Sequence, residues 1–518
     1  MDRKPIIRQP EPGGGNFGDW LFKTRDNKII LCVAAIAVVV QFTVLKYFYP
    51  FASYIHGDSF DYLIAAYRNA SIDTYLIGYA MFLRAFSVFS SSDAILVAFQ
   101  YLLIQASSLG LLFTIRYFYR PSKTMQFILF CFSIFNPLYL YMANLVSSDL
   151  LFAALSLVWI TLLLWIIHRP SPALILWHSL VIFLAFTVRY NALIYFLLSL
   201  IAFVLSQESL RWKVGGLVSA AVLMGLFVLN TGNHYKSLTG IWQYSPFAGW
   251  LWANNAMYAY RYVDSAKRKP VPEKFQALDN MIRNYYDRNR DLKKNPQETL
   301  LASTVYMWDP RMPLTKYRDL QFQHDTASTE LKRWATMGPL YGQYGKYIIR
   351  QYPGFYAKYF LWPNTLKYYA PPLEFLANYN SGSDSVNESA KTWFGYRSRR
   401  VRTRMKSSAI HVLEFYPILS GVINVVMLFS LLAFTLLNGW KTDTPFRKGV
   451  FLIGAFWLLN AGFTIVASSA ALRFQAFPII LTTFFSLLLV DWIWSLANSE
   501  TTIPTRVPSQ STQIIPSI

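Results

Sequence analysis

Apolar runs close to the length of a bilayer crossing recur along most of this 518-residue chain. A hydrocarbon core about 30 Å thick takes about 20 helical residues to cross. No water inside it satisfies open backbone groups, so a chain built of such runs is confined to helices there. The runs lie at 29–49, 94–119, 125–142, 150–167, 173–188, 191–205, 214–230, 410–437, 449–468 and 472–494. The expected fold is therefore an all-α polytopic membrane protein with about ten transmembrane helices. At 54% hydrophobic and 14% charged residues, a soluble globular domain is excluded. Cys32 and Cys131 both fall inside apolar runs, where they are expected to pack as small hydrophobes, so no disulfide framework is expected.

Orientation follows from basic residues in short connections, which concentrate on the cytoplasmic side. With the N-terminus inside, Arg116, Arg120, Lys123, Arg169, Arg211, Lys213, Lys441, Arg447 and Lys448 all face the cytoplasm, while the connection 144–149 has no Lys or Arg. One alternation explains every short loop. It divides the chain into a cytoplasmic N-terminus (1–28), an N-terminal transmembrane module (29–230) that includes the first outer loop (50–93), an outer segment (231–409), C-terminal transmembrane helices (410–497) and a Ser/Thr/Pro-rich tail (498–518) expected to be disordered and cytoplasmic. The excess of 48 Lys plus Arg over 27 Asp plus Glu points to anionic lipid headgroups and phosphates as partners, not nucleic acid.

The first outer loop holds two amphipathic stretches. Phe60, Leu63, Ile64 and Tyr67 recur at helical spacing, as do Leu76, Tyr79, Phe82, Leu83 and Phe86, which predicts helices lying in the interface plane. A second span at 75–89 is the competing reading, and it would invert every downstream loop. The outer segment is expected to be mostly helical, with a mobile loop at 382–388. After it comes the run Arg397, Arg399, Arg400, Arg402, Arg404 and Lys406, either a solvated loop or a site for anionic lipid or a phosphate-bearing acceptor.

Candidate chemistry concentrates at the outer ends of the spans. In His56-Gly57-Asp58-Ser59-Phe60-Asp61, Asp58 can act as a general base, because the bilayer edge desolvates a carboxylate. The plainer alternative makes Asp58 a helix cap, with Asp61 favouring the helix dipole. Arg189 and Arg473 sit at one depth and can fork onto phosphate oxygens, or Arg189 can snorkel as an interfacial anchor. Asp149 opens a span and either positions a substrate hydroxyl or caps. Lys358 and Lys367, in the aromatic-rich stretch 356–372, can grip a prenyl chain and its phosphate, unless the stretch is an aromatic belt. P-loop, dinucleotide, His-Glu-x-x-His and Cys-x-x-Cys motifs are all missing from the sequence.

These features resemble the GT-C superfamily of polyprenyl-phosphate-dependent glycosyltransferases, in the branch of protein O-mannosyltransferases and aminoarabinose transferases. The resembling residues are Gly57-Asp58-Ser59-Phe60-Asp61-Tyr62, Gly78-Tyr79-Ala80-Met81-Phe82-Leu83, Ser148-Asp149-Leu150-Leu151-Phe152, Thr187-Val188-Arg189-Tyr190-Asn191 and Leu472-Arg473-Phe474 through Pro478. The first seven spans and the last take part; the outer segment does not. The family often has two adjacent acids in the first loop and a Gly-Tyr-Pro, where this chain has acids three apart and Gly78-Tyr79-Ala80.

The resemblance implies an inverting transfer of a sugar from a polyprenyl-phosphate donor to a lipid, glycan or protein acceptor. In that reading Asp58 is the base, Asp61 a helper, Arg189 and Arg473 hold the leaving phosphate, and Tyr190 is counted among the substrate-binding residues. Some relatives use a divalent cation and others do not, and no His cluster here points to one. The expected location is a bacterial inner membrane with the site on the periplasmic side, or the luminal side of an endoplasmic reticulum membrane. Two other classes stay open. A flippase or transporter of lipid-linked sugars would use the same basic face without making bonds, and a non-catalytic envelope-polysaccharide scaffold would need neither acid.

Overall fold

The computed structural model describes residues 16–442 and 445–500. Among the described residues the regular elements are all helices, and extended pairing is limited to isolated bridges such as Ser53 with Leu145. Eight helices are long and apolar enough to cross a membrane: Arg25–Phe48, Asp93–Tyr119, Lys123–Ala143, Ser148–His168, Leu210–Thr239, His411–Leu436, Pro445–Ala467 and Leu472–Asn498. The other two expected spans form shorter apolar helices, Pro172–Val188 and Tyr190–Leu205, which meet at Arg189.

The helix ends sort into two groups, as the alternation of charge predicts. At one end Arg116 Nη1 donates to Asn27 Oδ1 at 2.8 Å, Arg169 lies 4.9 Å over Tyr117, and the Ser122 N–H donates to Asp491 at 2.8 Å. At the other end the chain leaving the first span pairs with the connection before Ser148. Ser53 N–H donates to the Asn144 carbonyl at 2.7 Å, and Val146 N–H to the Ser53 carbonyl at 2.9 Å.

Helix extends beyond the apolar runs at both ends of the described chain. Residues 1–15 lie outside the described residues, but Phe17–Lys23 is already helical, because Phe17 and Trp20 pack on Tyr117. The last helix continues to Glu500, beyond the expected start of the tail at 498; residues 501–518 lie outside the described residues.

The segment 231–409 is two things. Its first part has its own core of Trp250, Tyr258, Ile282, Tyr306 and Tyr341, built on helices Pro246–Tyr260, Glu273–Arg288 and Glu330–Gln351. Leu210–Thr239 runs into it without a break, so the expected boundary at 231 falls inside a helix. Its second part joins the core of the spans through Tyr379, Val386, Phe394 and Val401. Residues 382–388, expected as a mobile loop, are instead tied down. The Asn380 side chain donates to the Ser383 and Ser385 carbonyls, and Val386 N–H donates to the Arg399 carbonyl at 2.9 Å. The basic run then returns to the end of the first span, where Arg404 N–H donates to the Phe48 carbonyl at 2.8 Å.

Helices Asp58–Arg68 and Gly78–Ser87 form the first loop. The second has ten residues, too short to cross, so the competing span at 75–89 is not formed. Phe60, Leu63, Tyr79 and Leu83 are buried as their spacing predicts, whereas Tyr67 is 71% exposed. Gly78 is needed where it stands, since a Cβ there would lie 2.6 Å from the Thr187 backbone. Gly78→Ala is expected to cost about 1–3 kcal/mol by forcing the two elements apart. A thermal-unfolding scan checks it, and an unchanged transition would mean that this contact does not fix the loop.

Candidate functional site

The site begins with a turn. Gly57 has φ +102°, a conformation other residues rarely adopt, and it delivers Asp58 as the first residue of its helix. The cap is thus Gly57, and the expected capping role of Asp58 is not seen. The turn is locked from below, since Ser59 Oγ accepts from the Ile55 N–H at 2.8 Å and donates to the Val146 carbonyl at 2.6 Å.

The Asp58 carboxylate, so placed, accepts from Tyr75 Oη at 2.7 Å and from Arg473 Nη1 at 3.2 Å. The same Arg473 nitrogen donates to Asp149 Oδ2 at 3.2 Å, and Asp149 Oδ1 pairs with Arg189 Nη2 at 2.6 Å. Four charged residues from four distant parts of the sequence thus form one chain, Asp58–Arg473–Asp149–Arg189. The cap of this helix is Ser147, not Asp149 as the capping alternative expected: Ser147 Oγ accepts from the Asp149 N–H at 3.4 Å and donates to the Asp149 carboxylate at 2.5 Å, which leaves that carboxylate free to hold the arginines. Ser148 Oγ accepts from Arg189 Nε at 3.3 Å and bonds Tyr62 Oη at 3.0 Å.

Phe474 orders the cations. Arg189 and Arg473 lie 4.6 Å and 4.3 Å from its ring centroid, and Phe375 lies 5.0 Å from Arg473, stacking that aligns planar guanidinium groups. Arg473 is buried, and its Nε has no hydrogen-bond partner among the described residues. A buried N–H of this kind is costly unless something accepts from it.

The remaining sequence candidates are placed as follows. Tyr190 begins the turn after Arg189 and packs its ring on Tyr244 and Phe247. Lys367 is partly buried and donates to the Ala302 carbonyl at 3.0 Å; burial pulls its ammonium below the ordinary lysine value, with Glu374 pulling the other way. Lys358 is exposed and stands over Tyr359 at 5.2 Å, outside the cluster. Asp61 feels the charge of Asp73, a carboxylate that sequence reasoning missed. Burial first, then Asp73 and Asp58, push Asp61 up to about 7; burial pushes Asp73 up to about 6. Tyr75 and Glu374 were also missed. Burial raises Glu374, and Arg473 and Lys367 oppose that rise. The lone acid in Pro371-Pro372-Leu373-Glu374 was the available signal, since an isolated carboxylate among apolar residues needs a cation.

Asp61 gives a pH prediction. A carboxyl raised from 3.8 to about 7 holds its proton more tightly folded than unfolded, so its contribution to stability falls as pH rises through that window. Asp61→Asn is expected to stabilise the protein at pH 8 by about 1 kcal/mol after allowance for solvent, with the gain vanishing toward pH 4. Thermal scans across pH test this, and a gain independent of pH would contradict it.

Comparison with known proteins is brief. No family model, no curated protein and no solved structure matches this chain. The chemistry therefore rests on the geometry. Arg473 Nη1 occupies the place between Asp58 and Asp149 that a divalent cation would need, so these residues as arranged do not fit a metal there. Among the described residues no three His, Cys, Asp or Glu side chains come together as ligands. What the arrangement offers is one carboxylate at the rim beside two stacked guanidinium groups, a proton acceptor next to an anion clamp.

Proposed function

We propose that this protein is an integral-membrane glycosyltransferase that moves a sugar from a polyprenyl-phosphate donor to an acceptor hydroxyl, with inversion, on the outer side of a bacterial inner membrane. The observation that carries the reading is the Asp58–Arg473–Asp149–Arg189 chain at the ends of the spans. It supports transfer because a base and an anion clamp meet within one hydrogen-bonded network at one end of the spans.

The donor phosphate enters between Arg189 and Arg473 and takes their N–H groups, including the buried Nε of Arg473. Arg473 turning to phosphate releases the Asp58 oxygen to which it donates, leaving that oxygen to face the acceptor hydroxyl. The acceptor oxygen attacks the anomeric carbon as its proton passes to Asp58. The bond from that carbon to the phosphate oxygen breaks, and its electron pair leaves on polyprenyl phosphate, where the guanidinium groups hold the growing charge. Asp149 keeps both arginines aligned. Tyr75 keeps Asp58 oriented.

The test is reconstitution in liposomes with radiolabelled polyprenyl-phosphate sugars and extracted lipid, glycan and protein acceptors. The expected result is label in one acceptor fraction with release of equimolar polyprenyl phosphate. Donor that crosses the bilayer intact, with no release, would replace this reading with transport of lipid-linked sugars.

A further inference from the structure

The part of the protein built on residues 235–361 carries an open groove of about 720 Å³, within the roughly 300–1,000 Å³ typical of small-molecule sites. One wall is a face of helix Glu273–Arg288, on which Asn280, Asn284 and Arg288 follow at four-residue intervals and so project side by side. The facing wall carries Arg311 and Lys316. Between the walls lie Asn289, Asn295 and Gln297.

No carboxylate lines the groove, although acids are frequent in the same stretch of chain. Asp279 turns away to Arg283 at 2.5 Å and Tyr344 at 2.9 Å, and Asp287 to Arg268 and Arg290 at 3.1 Å and 3.3 Å. Glu298, buried beneath, takes Arg261 at 2.5 Å with Tyr285 and Tyr306. Asp309 reaches Arg311 at 2.6 Å. Arg288 and Lys316 face the groove beyond ion-pair distance of the carboxylates of the described residues, although the charge of Lys316 is felt by Asp309.

We infer that this groove binds a saccharide bearing an anionic group, a carboxylate or a phosphate. A side-chain carboxamide both donates and accepts, as does each hydroxyl of a sugar, and five carboxamides here face one space. Arg288 and Lys316 supply charge-assisted bonds to the anion, and the half-buried Met281 offers an apolar surface to the C–H face of a ring. An acidic peptide could also meet Arg288 and Lys316, since basic clusters read acidic motifs, but it brings no run of hydroxyls to match the five carboxamides. The wall of the groove also leads to the cluster at Asp58. From Gln297 and Met312 in the groove, the intervening chain passes through Ala302, whose carbonyl accepts from Lys367 and Ser469, and Trp308, whose ring is 6.1 Å from that of Tyr75. The assignment stands on the groove and does not depend on the reaction at Asp58.

The experiment is calorimetric titration of the full chain in zwitterionic nanodiscs with tetragalacturonate, trehalose 6-phosphate, maltotetraose and tetraglutamate, in the absence of any lipid-linked donor. At least one acidic saccharide is expected to bind about tenfold or more tighter than maltotetraose, as one charge-assisted bond allows; which of the two binds tells carboxylate from phosphate. The exposed double variant Arg288→Ala/Lys316→Ala should lose that preference, Asn280→Ala/Asn284→Ala should weaken all saccharides, and Asp58→Asn should bind as wild type. The inference is overturned by equal binding of maltotetraose, by preference for tetraglutamate, by no binding of any saccharide, by groove variants that bind normally, or by loss of binding in Asp58→Asn.

Discussion

Asp58→Asn is expected to lower sugar transfer by about 10²–10⁴-fold, the usual contribution of a positioned general base, while the protein stays folded. The amide oxygen of the variant can still accept from Tyr75, which now donates to Asp58 at 2.7 Å, and Arg473 keeps Asp149 as its other partner. What is lost is the negative charge that lets this oxygen take the acceptor proton, since an amide oxygen accepts a hydrogen bond but is far too weak a base. Asp58→Glu keeps the charge but advances it by a methylene out of the turn set by Gly57, so it should recover only part of the rate. Transfer measured at matched protein levels in membranes checks both. Wild-type rates in Asp58→Asn would remove this residue as the base.

Arg473→Met should damage both stability and transfer. Arg473 is buried and its Nη1 bridges Asp58 and Asp149 at 3.2 Å each; removing one member of a buried charge network typically costs about 3–5 kcal/mol because the partners stay buried. Arg189 still holds Asp149 at 2.6 Å, so the loss should fall toward the lower end. The double variant Arg473→Met/Asp149→Asn, which removes charge from both sides, is expected to regain much of the thermal stability and none of the transfer. Arg473→Lys is expected to behave as a poor substitute, since an ammonium cannot stack between Phe474 and Phe375 as the guanidinium does and has no second nitrogen left to fork onto a phosphate. If the double variant were no more stable than the single one, the network would not be what holds these helix ends together.

The legible part of this protein is set by cost. Apolar runs declare themselves because a bilayer tolerates little else, and all ten expected runs are helical, eight of them long enough to cross. Asp58, Asp149, Arg189 and Arg473 could be picked out because isolated charges at span ends need partners, and the structure joins all four. Tyr75 and Glu374 escaped because their roles come from loops whose path the sequence does not encode locally; Asp58 and Arg473 are 415 positions apart, and no periodicity spans that distance. Lys358 was expected at the site through its aromatic neighbours, yet those aromatics face a core of their own and leave the lysine outside. The segment 231–409 looked uniform because aromatic-rich helices serve equally well against lipid, against spans and in a separate core. Its division near residue 362 follows from which partners are within reach.

The most direct test of the reading centred on Asp58 is the stereochemistry of a single turnover. Purified protein in nanodiscs would receive a polyprenyl-phosphate sugar of defined anomeric configuration with its acceptor, and the product would be read by nuclear magnetic resonance before any mutarotation. Direct attack with Asp58 as base predicts a product of inverted configuration, with one polyprenyl phosphate released per sugar transferred. A product of retained configuration, or donor left intact in the presence of active acceptor fractions, would contradict it.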